Sequence, residues 1–342
     1  MSVLHLLGSG GDGGAETYFV DLVTALHRAG VAEACAIRRH AARTTALAEA
    51  GVVSQTFGFG GPLDIFTRPR IATWGRRMDA RVIVAWMNRA GRHTPAGPWK
   101  RIGRLGGYYS LKYYRGFDHL VGNTRDIVDW VIGQGWPADR VSYIPNFAGG
   151  PDEDAPVSRA SLDTPEDVPL LLGMGRLHDA KAHDVSLKAL TQIPGAYLWI
   201  AGAGPLEGKL KAMAGALGVA DRVRFLGWRQ DASALYRAAD VCLFPSRFEP
   251  LGNVVIQAWA NGLPVVAANS QGPGALIRDG QDGFLVPVDD ADALAERTRA
   301  LLADPMLGIR LIQNGHARVE AEFSQDAVVA EWRRLFSRLG EA

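Results

Sequence analysis

Short apolar runs alternate with amphipathic helical segments along most of the chain, and this alternation restricts the fold more than any other feature. In the second half the runs are PLLLGM, AYLWIA, VRFLG, VCLFP and PVVAA, and helical patterns lie between them. Strands joined through helices pair in parallel, because each crossover helix returns the chain to the same edge of the sheet. The pattern predicts an α/β protein built from doubly wound parallel sheets.

The first half begins in the same way. Residues 3–7 predict a strand, GSGGDGG a turn, and residues 15–30 an amphipathic helix, since Phe19, Leu22, Val23 and Leu26 recur at helical spacing. Further strands are predicted at ARVIVAW, DHLVGN and VSYIPN. A glycine turn between strand and helix can hold a phosphate on the first helical N–H groups. Similar turns also occur in α/β proteins that bind nothing there, so both interpretations stay open.

The length predicts two domains, since 342 residues at roughly 150 per domain allow two cores. The segment FAGGPDEDAPVSRASLDTPEDVP lacks apolar periodicity and is the best candidate linker. We predict two Rossmann-like domains, 1–165 and 166–322, that face a cleft. A last helix within 323–342 is predicted to cross back to the first domain.

The net charge of +1 conceals an uneven distribution. Residues 1–150 hold 18 Lys and Arg against 11 acids, whereas residues 151–342 hold 19 against 25. Residues 68–115 contain twelve basic residues, one acid and seven Trp or Tyr side chains. This stretch is either a solvated basic face or a surface for anionic lipid headgroups or a phosphorylated acceptor.

The two cysteines, Cys35 and Cys242, are distant in sequence and indicate a reducing compartment. The N-terminus lacks the basic region and cleavage site of a signal peptide, and no apolar stretch approaches the roughly 18 residues that span a bilayer. We therefore expect a cytoplasmic protein, with peripheral attachment to the inner face of the membrane as a further expectation.

Ligands of doubly wound sheets bind at the carboxyl ends of the strands, so the loops there should carry the chemistry. GRLHDAKAHD follows a predicted strand and places Arg176 and Lys181 on one loop. Two cations so placed would grip a diphosphate, although two ordinary surface cations have the same spacing. IAGAGP and RFLGWRQD end strands with glycine, which would leave room for a flat base.

A second such loop is SRFEPLGNVVIQ, which runs from a predicted strand into a helix. With Gly252 or Asn253 as N-cap, the N–H groups of residues 251–253 would lie at the positive end of the helix dipole. Glu249 precedes this helix, and Gln257 lies one turn inside it on the same side. The alternative for Glu249 is an exposed loop carboxylate.

In combination these motifs resemble glycosyltransferase family 4, the retaining nucleotide-sugar enzymes of GT-B fold, and among them the bacterial cell-envelope polysaccharide type. The family's GGAE-type turn is found here at residues 13–16, its GRL…K loop at Arg176 and Lys181, and its Glu-x7-Glu segment at Glu249 through Gln257. NGLPVVAAN and DGFLVPVDD are similar to its closing segments. The resemblance covers nearly the whole chain.

The resemblance implies transfer of a sugar from a UDP- or GDP-linked donor to a lipid-linked or lipopolysaccharide-like acceptor, without a cofactor or metal. Arg176, Lys181 and Glu249 would be catalytic: the two cations would hold the diphosphate and Glu249 would orient the sugar. The residues expected at the donor are Gly14, Arg176, Lys181, Leu226, Trp228, Arg229, Glu249, Leu251, Gly252, Asn253 and Gln257. Within this set, residues 226–229 would line the base and Gln257 the ribose.

The sequence departs from the family pattern in two places. Gln257 stands where the family has a second glutamate, and this loss of charge would weaken donor binding by about 1 kcal/mol or more. A histidine that some members carry near the acceptor is absent from the segment GRLGGYY. The departing phosphate would then accept the proton itself, and the acceptor-side candidates are Glu16, Asn88, Arg89, Arg104 and Tyr108.

Other chemistries find less support in the sequence. Two Asp-x-Asp spellings, at 152–154 and 290–292, are expected to be solvated acids or helix caps, and the eight histidines lack metal-ligand spacing. His178 and His183 are expected to be loop residues. No P-loop or GxSxG motif is present, and no nucleic-acid-binding module is recognised. The remaining alternative to an enzyme is a catalytically weak nucleotide-sugar-binding scaffold.

Overall fold

A computed structural model describes residues 2–11, 13–61, 63–148 and 155–340 of the chain. The chain divides into two compact units, one of Met1–Asn146 with Gln325–Ala342 and one of Phe147–Ser324. The predicted domain limits at 165 and 322 stay predictions. The Asp-x-Asp at 152–154 lies outside the described residues.

The first unit contains a seven-stranded, wholly parallel sheet in the order β3-β2-β1-β4-β5-β6-β7. Its strands are β1 (Ser2–Leu7), β2 (Ala32–Arg38), β3 (Val53–Phe57), β4 (Val82–Trp86), β5 (Lys100–Leu105), β6 (His119–Gly122) and β7 (Val141–Tyr143). Its first five helices are α1 (Gly14–Arg28), α2 (Ala41–Glu49), α3 (Thr67–Arg77), α4 (Met87–His93) and α5 (Arg125–Gly133). The strand order reverses between β1 and β4, where Leu7 pairs with Trp86.

Strands β2, β3 and β5 are not evident from the sequence, because polar side chains interrupt their apolar pattern. In β2 the exception is Glu33, which is buried and whose carboxylate lies 2.8 Å from Nε2 of His5. In β5 the sequence KRIGRL is half basic, yet Ile102, Arg104 and Leu105 are buried. Charged residues inside both strands therefore concealed them.

The second unit contains a six-stranded parallel sheet in the order β10-β9-β8-β11-β12-β13. Its strands are β8 (Leu170–Met174), β9 (Tyr197–Ala201), β10 (Val223–Gly227), β11 (Val241–Phe244), β12 (Val265–Ala268) and β13 (Phe284–Val286). Its helices are α6 (His183–Leu190), α7 (Glu207–Ala216), α8 (Ala232–Ala238), α9 (Asn253–Ala260), α10 (Gln271–Leu276), α11 (Ala291–Ala303) and α12 (Pro305–Arg318). Buried apolar clusters cover both faces of this sheet, and its order reverses between β8 and β11.

The last helix, α13 (Gln325–Gly340), belongs to the first unit, where it packs against α1 and β4. Val328, Trp332 and Phe336 form its buried stripe. The predictions of two doubly wound parallel sheets and of a C-terminal helix that returns to the first are thus confirmed. Asp290 accepts a hydrogen bond from the Ala293 N–H at 2.8 Å, so the second Asp-x-Asp caps a helix, as expected. Within the described ranges, no helix combines the length and apolarity that a membrane span requires.

Candidate active site

At the strand-order reversal of the second unit, the loops that follow β8 and β11 are bonded to each other. The Arg247 and Phe248 N–H groups both donate to the Ala180 carbonyl, at 2.9 and 3.3 Å. The Arg247 guanidinium also bonds the carboxylates of Asp184, at 2.7 Å, and Asp289, at 2.5 Å. These contacts hold the GRLHDAK loop beside the EPLGN loop.

The ammonium of Lys181 forms an ion pair with the carboxylate of Glu249 across these two loops. The side chains are 24% and 13% exposed, so the pair is largely, but not fully, shielded from solvent. Lys181 ends a short 3-10 turn, and the backbone reverses at Ala182, which has a φ of 53°. The structure thereby brings together two of the three predicted catalytic residues.

The N-terminus of α9 adds backbone donors to this cluster. Gly252 is its N-cap with a φ of 84°, a conformation that side chains other than glycine rarely adopt. Its N–H donates to Oε1 of Glu249 at 3.3 Å, while the Glu249 carbonyl accepts the Gly272 N–H at 2.7 Å. Glu249 is therefore fixed at both its backbone and its carboxylate. Leu251 is buried beside it.

Gln257 lies one turn into α9, as predicted, and is partly buried. Its Oε1 accepts a hydrogen bond from the Tyr236 hydroxyl at 3.2 Å. Tyr236 is fully buried, and this burial raises its pKa well above the usual value, so it stays a donor at neutral pH. The amide of Gln257 is thus oriented by a neighbour that the sequence analysis did not identify.

Arg176, the third predicted catalytic residue, is exposed and makes no ion pair with any described residue. The backbone beneath it is tightly packed: a Cβ on Gly202 would lie 2.0 Å from the Gly175 carbonyl oxygen, and one on Gly204 would lie 2.4 Å from that of Leu177. Gly202 and Gly204 therefore allow a close approach of protein backbone, and the expected space for a base beside the strand-ending glycines stays a prediction. A Cβ on Gly227 would meet nothing within 4 Å.

In the turn predicted to line the base, one side chain is exposed and its neighbours are partly buried. Trp228 is 76% exposed, a large fraction for an indole. Arg229 forms a 2.5 Å ion pair with Asp231, so its guanidinium is held close to its own loop. Leu226 packs at the edge of the core.

The two histidines expected in the loop after β8 are placed differently: His178 lies in the loop, whereas His183 is the first residue of α6. Nδ1 of His178 accepts from the Ala180 N–H at 3.3 Å and caps the 3-10 turn. His183 is buried with Nε2 at 3.2 Å from the Gly175 carbonyl, and burial lowers its pKa to about 4. A neutral imidazole that donates to Gly175 supports the loop that carries Arg176.

In the first unit the glycine loop after β1 is held by a buried arginine. Arg43 is 4% exposed and donates to the carbonyls of Ser9, at 3.0 Å, and Gly11, at 2.8 Å. Glu16, on the first turn of α1, accepts a hydrogen bond from the Ser9 hydroxyl at 2.5 Å. Around Gly14 no atom would meet an added Cβ within 4 Å, so this position is open. Arg43 is not evident as a buried residue from the sequence, because α2 (AARTTALAE) has only one large apolar side chain, Leu47, to mark its buried face.

Beside this loop, the residues that follow β4 line a pocket of about 630 Å³. Met87 has a φ of 63°, which is uncommon for a side chain of its size, and Oδ1 of Asn88 is buried without a hydrogen-bond partner in the described chain. The pocket is also lined by the predicted Arg89 and by three residues missed from the sequence: Arg38, Arg39 and Tyr109. Recognition of β2 would have revealed Arg38 and Arg39, since they directly follow its apolar run.

Two other acceptor-side candidates are placed differently. Arg104 is 3% exposed, bonds the Asn146 side chain, and lies 4.6 Å above the ring centroid of Trp86. The Tyr108 hydroxyl bonds the carboxylate of Asp126, and burial followed by this hydrogen bond raises its pKa to about 12. Neither residue lines the pocket, and the adjacent Tyr109 does.

Among the residues described, no group of three His, Cys, Asp or Glu side chains is arranged to hold a metal ion.

Comparisons with known proteins identify the family. Residues 154–318 match the family model of glycosyl transferases group 1. Lipopolysaccharide core biosynthesis glycosyltransferase LpsE of Rhizobium meliloti is 37% identical over 341 residues, which are 98% of this chain and 99% of LpsE. LpsD of the same organism is 35% identical over 341 residues, 99% of this chain and 98% of LpsD.

The solved structures agree on the fold. Anabaena HepE in complex with UDP superposes with a TM-score of 0.86 over 99% of this chain and 100% of its own, at 21% identity. A glycosyltransferase from Rickettsia africae gives a TM-score of 0.87 over 99% of this chain and 98% of its own, at 17% identity. The fold, the paired loops of the second unit and the full-length likeness to LpsE lead to one conclusion: the chain belongs to the group 1 glycosyl transferases.

Proposed function

We propose that this protein transfers a sugar from a nucleoside diphosphate sugar to a lipopolysaccharide or related polysaccharide acceptor, with retention of configuration at the anomeric carbon. The full-length relatives LpsE and LpsD are named lipopolysaccharide core biosynthesis glycosyltransferases, and this supports the acceptor class. The lipopolysaccharide outer core galactosyltransferase WaaB has the same fold, with a TM-score of 0.73.

The single observation that carries the donor assignment is the Lys181–Glu249 ion pair at the N-terminus of α9. A diphosphate bound there would meet the Lys181 ammonium, the exposed Arg176 guanidinium and the positive end of the helix dipole. Glu249 would accept hydrogen bonds from the hydroxyls of the transferred sugar. Trp228 would stack on the base, and Gln257 would bind the ribose.

The proposed step needs no protein group as a base. As the bond between the anomeric carbon and the diphosphate oxygen breaks, the acceptor hydroxyl forms its bond to the same face of that carbon. Its proton passes to the departing phosphate oxygen. Arg176 and Lys181 stabilise the charge that develops on the leaving diphosphate, which is where electrostatic catalysis has its largest effect.

For the donor, UDP-sugars are the first compounds to test, because the fold neighbour HepE was solved with UDP and with UDP-glucose. GDP-sugars are the second choice. The acceptor is proposed to bind the first unit at the glycine loop and the residues after β4, with Asn88 and Arg89 in contact with it. Glu16, Arg104 and Tyr108 stay predictions for this side of the reaction.

We also propose that the first unit docks on an anionic membrane surface, where a lipid-linked acceptor would be found. Leu63, Ile65 and Phe66 are 91%, 71% and 70% exposed in the turn before α3. The turn is ordered by Asp64, whose carboxylate accepts from Gly60 N–H at 2.6 Å and from Thr67 N–H at 3.0 Å. The apolar side chains are therefore held outward.

The helix that follows this turn supplies the charge. Arg70, Arg76 and Arg77 of α3 are exposed and have no carboxylate partner among the described residues. An apolar edge flanked by arginines suits a surface of anionic headgroups over acyl chains. Both cysteines are free and buried, which fits a reducing compartment such as the cytoplasm.

The direct test is transfer from a panel of nucleotide sugars to lipopolysaccharide isolated from a strain that lacks this gene. Lys181→Ala and Arg176→Ala should each lower kcat/KM at least 100-fold with the fold intact. Lys188→Ala and Arg310→Ala, which remove exposed cations elsewhere in the same unit, serve as controls and should leave the rate unchanged. Normal transfer by Lys181→Ala would contradict the donor assignment.

The scaffold alternative gives a different result. A weak binder would bind the nucleotide sugar and release free nucleotide slowly, at a rate that no acceptor changes. Acceleration of nucleotide release by the acceptor would therefore exclude it.

A further inference from the structure

We infer that the pocket between the β1 glycine loop and the end of β4 binds an anionic sugar, so that the acceptor carries a carboxylate or a phosphate near the attacked hydroxyl. The identification of the bound sugar as the acceptor rests on the proposed function, whereas the binding of an anionic sugar to the pocket does not depend on it. The pocket lies wholly within the first unit, at the carboxyl ends of β1, β2 and β4, where doubly wound sheets bind their ligands.

The charge of the pocket is the first argument. Arg38, Arg39 and Arg89 line it, and none of its described lining residues is acidic. The whole chain has 37 basic and 36 acidic residues. A pocket lined by three arginines and no carboxylate among the described residues is therefore more basic than the chain as a whole. Within the described chain these guanidinium groups form no ion pair. Arginine binds carboxylate and phosphate through paired N–H donors, which makes it the suitable side chain for both groups.

The glycine loop is shaped to admit two of these arginines. A Cβ on Gly8 would lie 2.9 Å from Cγ of Arg89, and a Cβ on Gly10 would lie 3.3 Å from Cδ of Arg38. The glycines therefore let the stems of both arginines lie against the loop. Their role in this structure is to position cations beside the pocket.

A buried polar atom and an aromatic ring indicate that the anion is part of a sugar. Oδ1 of Asn88 is buried and has no hydrogen-bond partner in the described residues. A hydroxyl of a bound ligand would donate the hydrogen bond that this buried acceptor lacks, which is energetically favourable. Asn88 follows Met87, whose φ of 63° marks a constrained backbone at this place. Tyr109 also lines the pocket and offers an aromatic ring to a sugar face.

A further positive charge, Arg104, lies near the pocket. Arg104 is buried against Trp86, which immediately precedes Met87, and its hydrogen-bond partner is the neutral side chain of Asn146. No carboxylate of the described residues neutralises it. A buried guanidinium without a counter-ion adds to the attraction that an anion experiences at this end of the sheet.

Direct binding of small probes tests the inference without any need for transfer. Ligand-observed NMR titrations would compare glucose, glucuronate and glucose 6-phosphate on the whole protein. We expect at least one of the two charged sugars to bind at least 10-fold more tightly than glucose. The double variant Arg38→Gln/Arg39→Gln should lose this preference. Arg28→Gln, an exposed arginine at the end of α1, and Lys181→Ala, in the donor cluster, should keep it.

The two charged probes distinguish a carboxylated from a phosphorylated acceptor. Equal affinity for all three sugars, or a preference that survives in the double variant, would overturn the inference. Failure of the proposed function gives a different pattern, in which charged sugars bind to this pocket but no nucleotide sugar is bound or transferred.

Discussion

The Lys181 ammonium and the Glu249 carboxylate form an ion pair that joins the loop after β8 to the loop after β11. These residues are 68 positions apart in the chain, and the hydrogen bonds of Arg247 and Phe248 to Ala180 bring them together. In this arrangement Glu249 supplies the negative charge at the place where a diphosphate is expected to bind. A diphosphate that binds there, as proposed, would share the Lys181 ammonium with the Glu249 carboxylate.

This shared cation leads to a prediction for Glu249→Gln. Loss of the carboxylate removes the orientation of the sugar, so kcat with a nucleotide sugar should fall by at least 100-fold. It also releases Lys181 from its partner, so the affinity for the nucleoside diphosphate alone should stay equal or rise. Calorimetric titration with UDP and GDP, beside the transfer assay, separates the two effects. A parallel loss of diphosphate affinity and rate would show that Glu249 acts by holding the loop.

At Gln257 the amide occupies the position of the family's second glutamate. Gln257→Glu should tighten nucleotide binding by about 1 kcal/mol, because a carboxylate accepts stronger hydrogen bonds from ribose hydroxyls than an amide does. The Tyr236 hydroxyl, 3.2 Å from Oε1, would donate to the new carboxylate and hold it in place. The Kd values of the wild type and of Gln257→Glu, measured for UDP and for ribose analogues that lack uracil, check this prediction. Weaker binding by the variant would mean that the amide N–H groups contact the ligand.

The packing of Gly204 beneath Arg176 gives a stability prediction. A Cβ at this position would lie 2.4 Å from the Leu177 carbonyl oxygen, so Gly204→Ala should lower the free energy of unfolding by about 2 to 3 kcal/mol. It should also weaken donor binding through displacement of the Arg176 loop. Gly208→Ala is the matched control: its Cβ would meet nothing within 4 Å, and as the second residue of α7 it lies outside the helix interior, so the variant should be stabilised by less than about 1 kcal/mol. Urea denaturation of both variants would decide, and similar values for the two would contradict the packing argument.

His183 predicts a pH dependence of stability. Burial lowers its pKa from 6.5 to about 4 in the folded protein, so between these values the unfolded chain binds a proton that the native protein does not. The contribution of neutral His183 to the free energy of unfolding is therefore fully present above pH 6.5. It decreases by on the order of 3 kcal/mol as the pH falls toward 4. His183→Gln should show a shallower decline in denaturation experiments between pH 7 and 4.5. An unchanged slope would place the acid sensitivity elsewhere, for example at His119, whose pKa burial also lowers to about 4.

If the first unit docks on an anionic membrane, the exposed apolar side chains and the arginines should make separable contributions to vesicle binding. Leu63→Ser/Phe66→Ser should abolish sedimentation with vesicles of phosphatidylcholine and phosphatidylglycerol. Arg76→Gln/Arg77→Gln should weaken it by about 1 kcal/mol per arginine and reduce its salt dependence. Ile132→Ser, which removes an apolar side chain that is 38% exposed on α5, is the control. Equal sedimentation of all variants would contradict the proposal that this surface binds an anionic membrane.

The sequence predicts five of the six strands of the second unit, because those five strands are predominantly apolar runs. Residues 170–174 and 241–244 are buried almost throughout, and buried parallel strands leave this pattern. In the first unit, Glu33 and the basic residues of β5 obscure the strands, since their burial depends on long-range partners such as His5 and Trp86.

The candidate site shows the same limit of prediction from sequence. The motifs indicate Lys181 and Glu249, but their pairing is a tertiary contact that no local pattern contains. Residues adjacent in sequence also differ in their contacts. The Tyr108 hydroxyl bonds the Asp126 carboxylate, whereas Tyr109 lines the pocket of the first unit. Arg43 supports the glycine loop from α2. A sequence pattern contains no information about which of two adjacent tyrosines faces a pocket, because this depends on the packing around it.

The most direct test of the central claim is the transfer of sugar to lipopolysaccharide from a strain that lacks this gene, measured by mass spectrometry for wild type and Lys181→Ala, with NMR assignment of the new anomeric centre. We expect the wild type to transfer the sugar with the configuration of the donor retained, and the variant to do so at a rate at least 100-fold lower. Inverted configuration, or equal rates for the two proteins, would contradict the central claim.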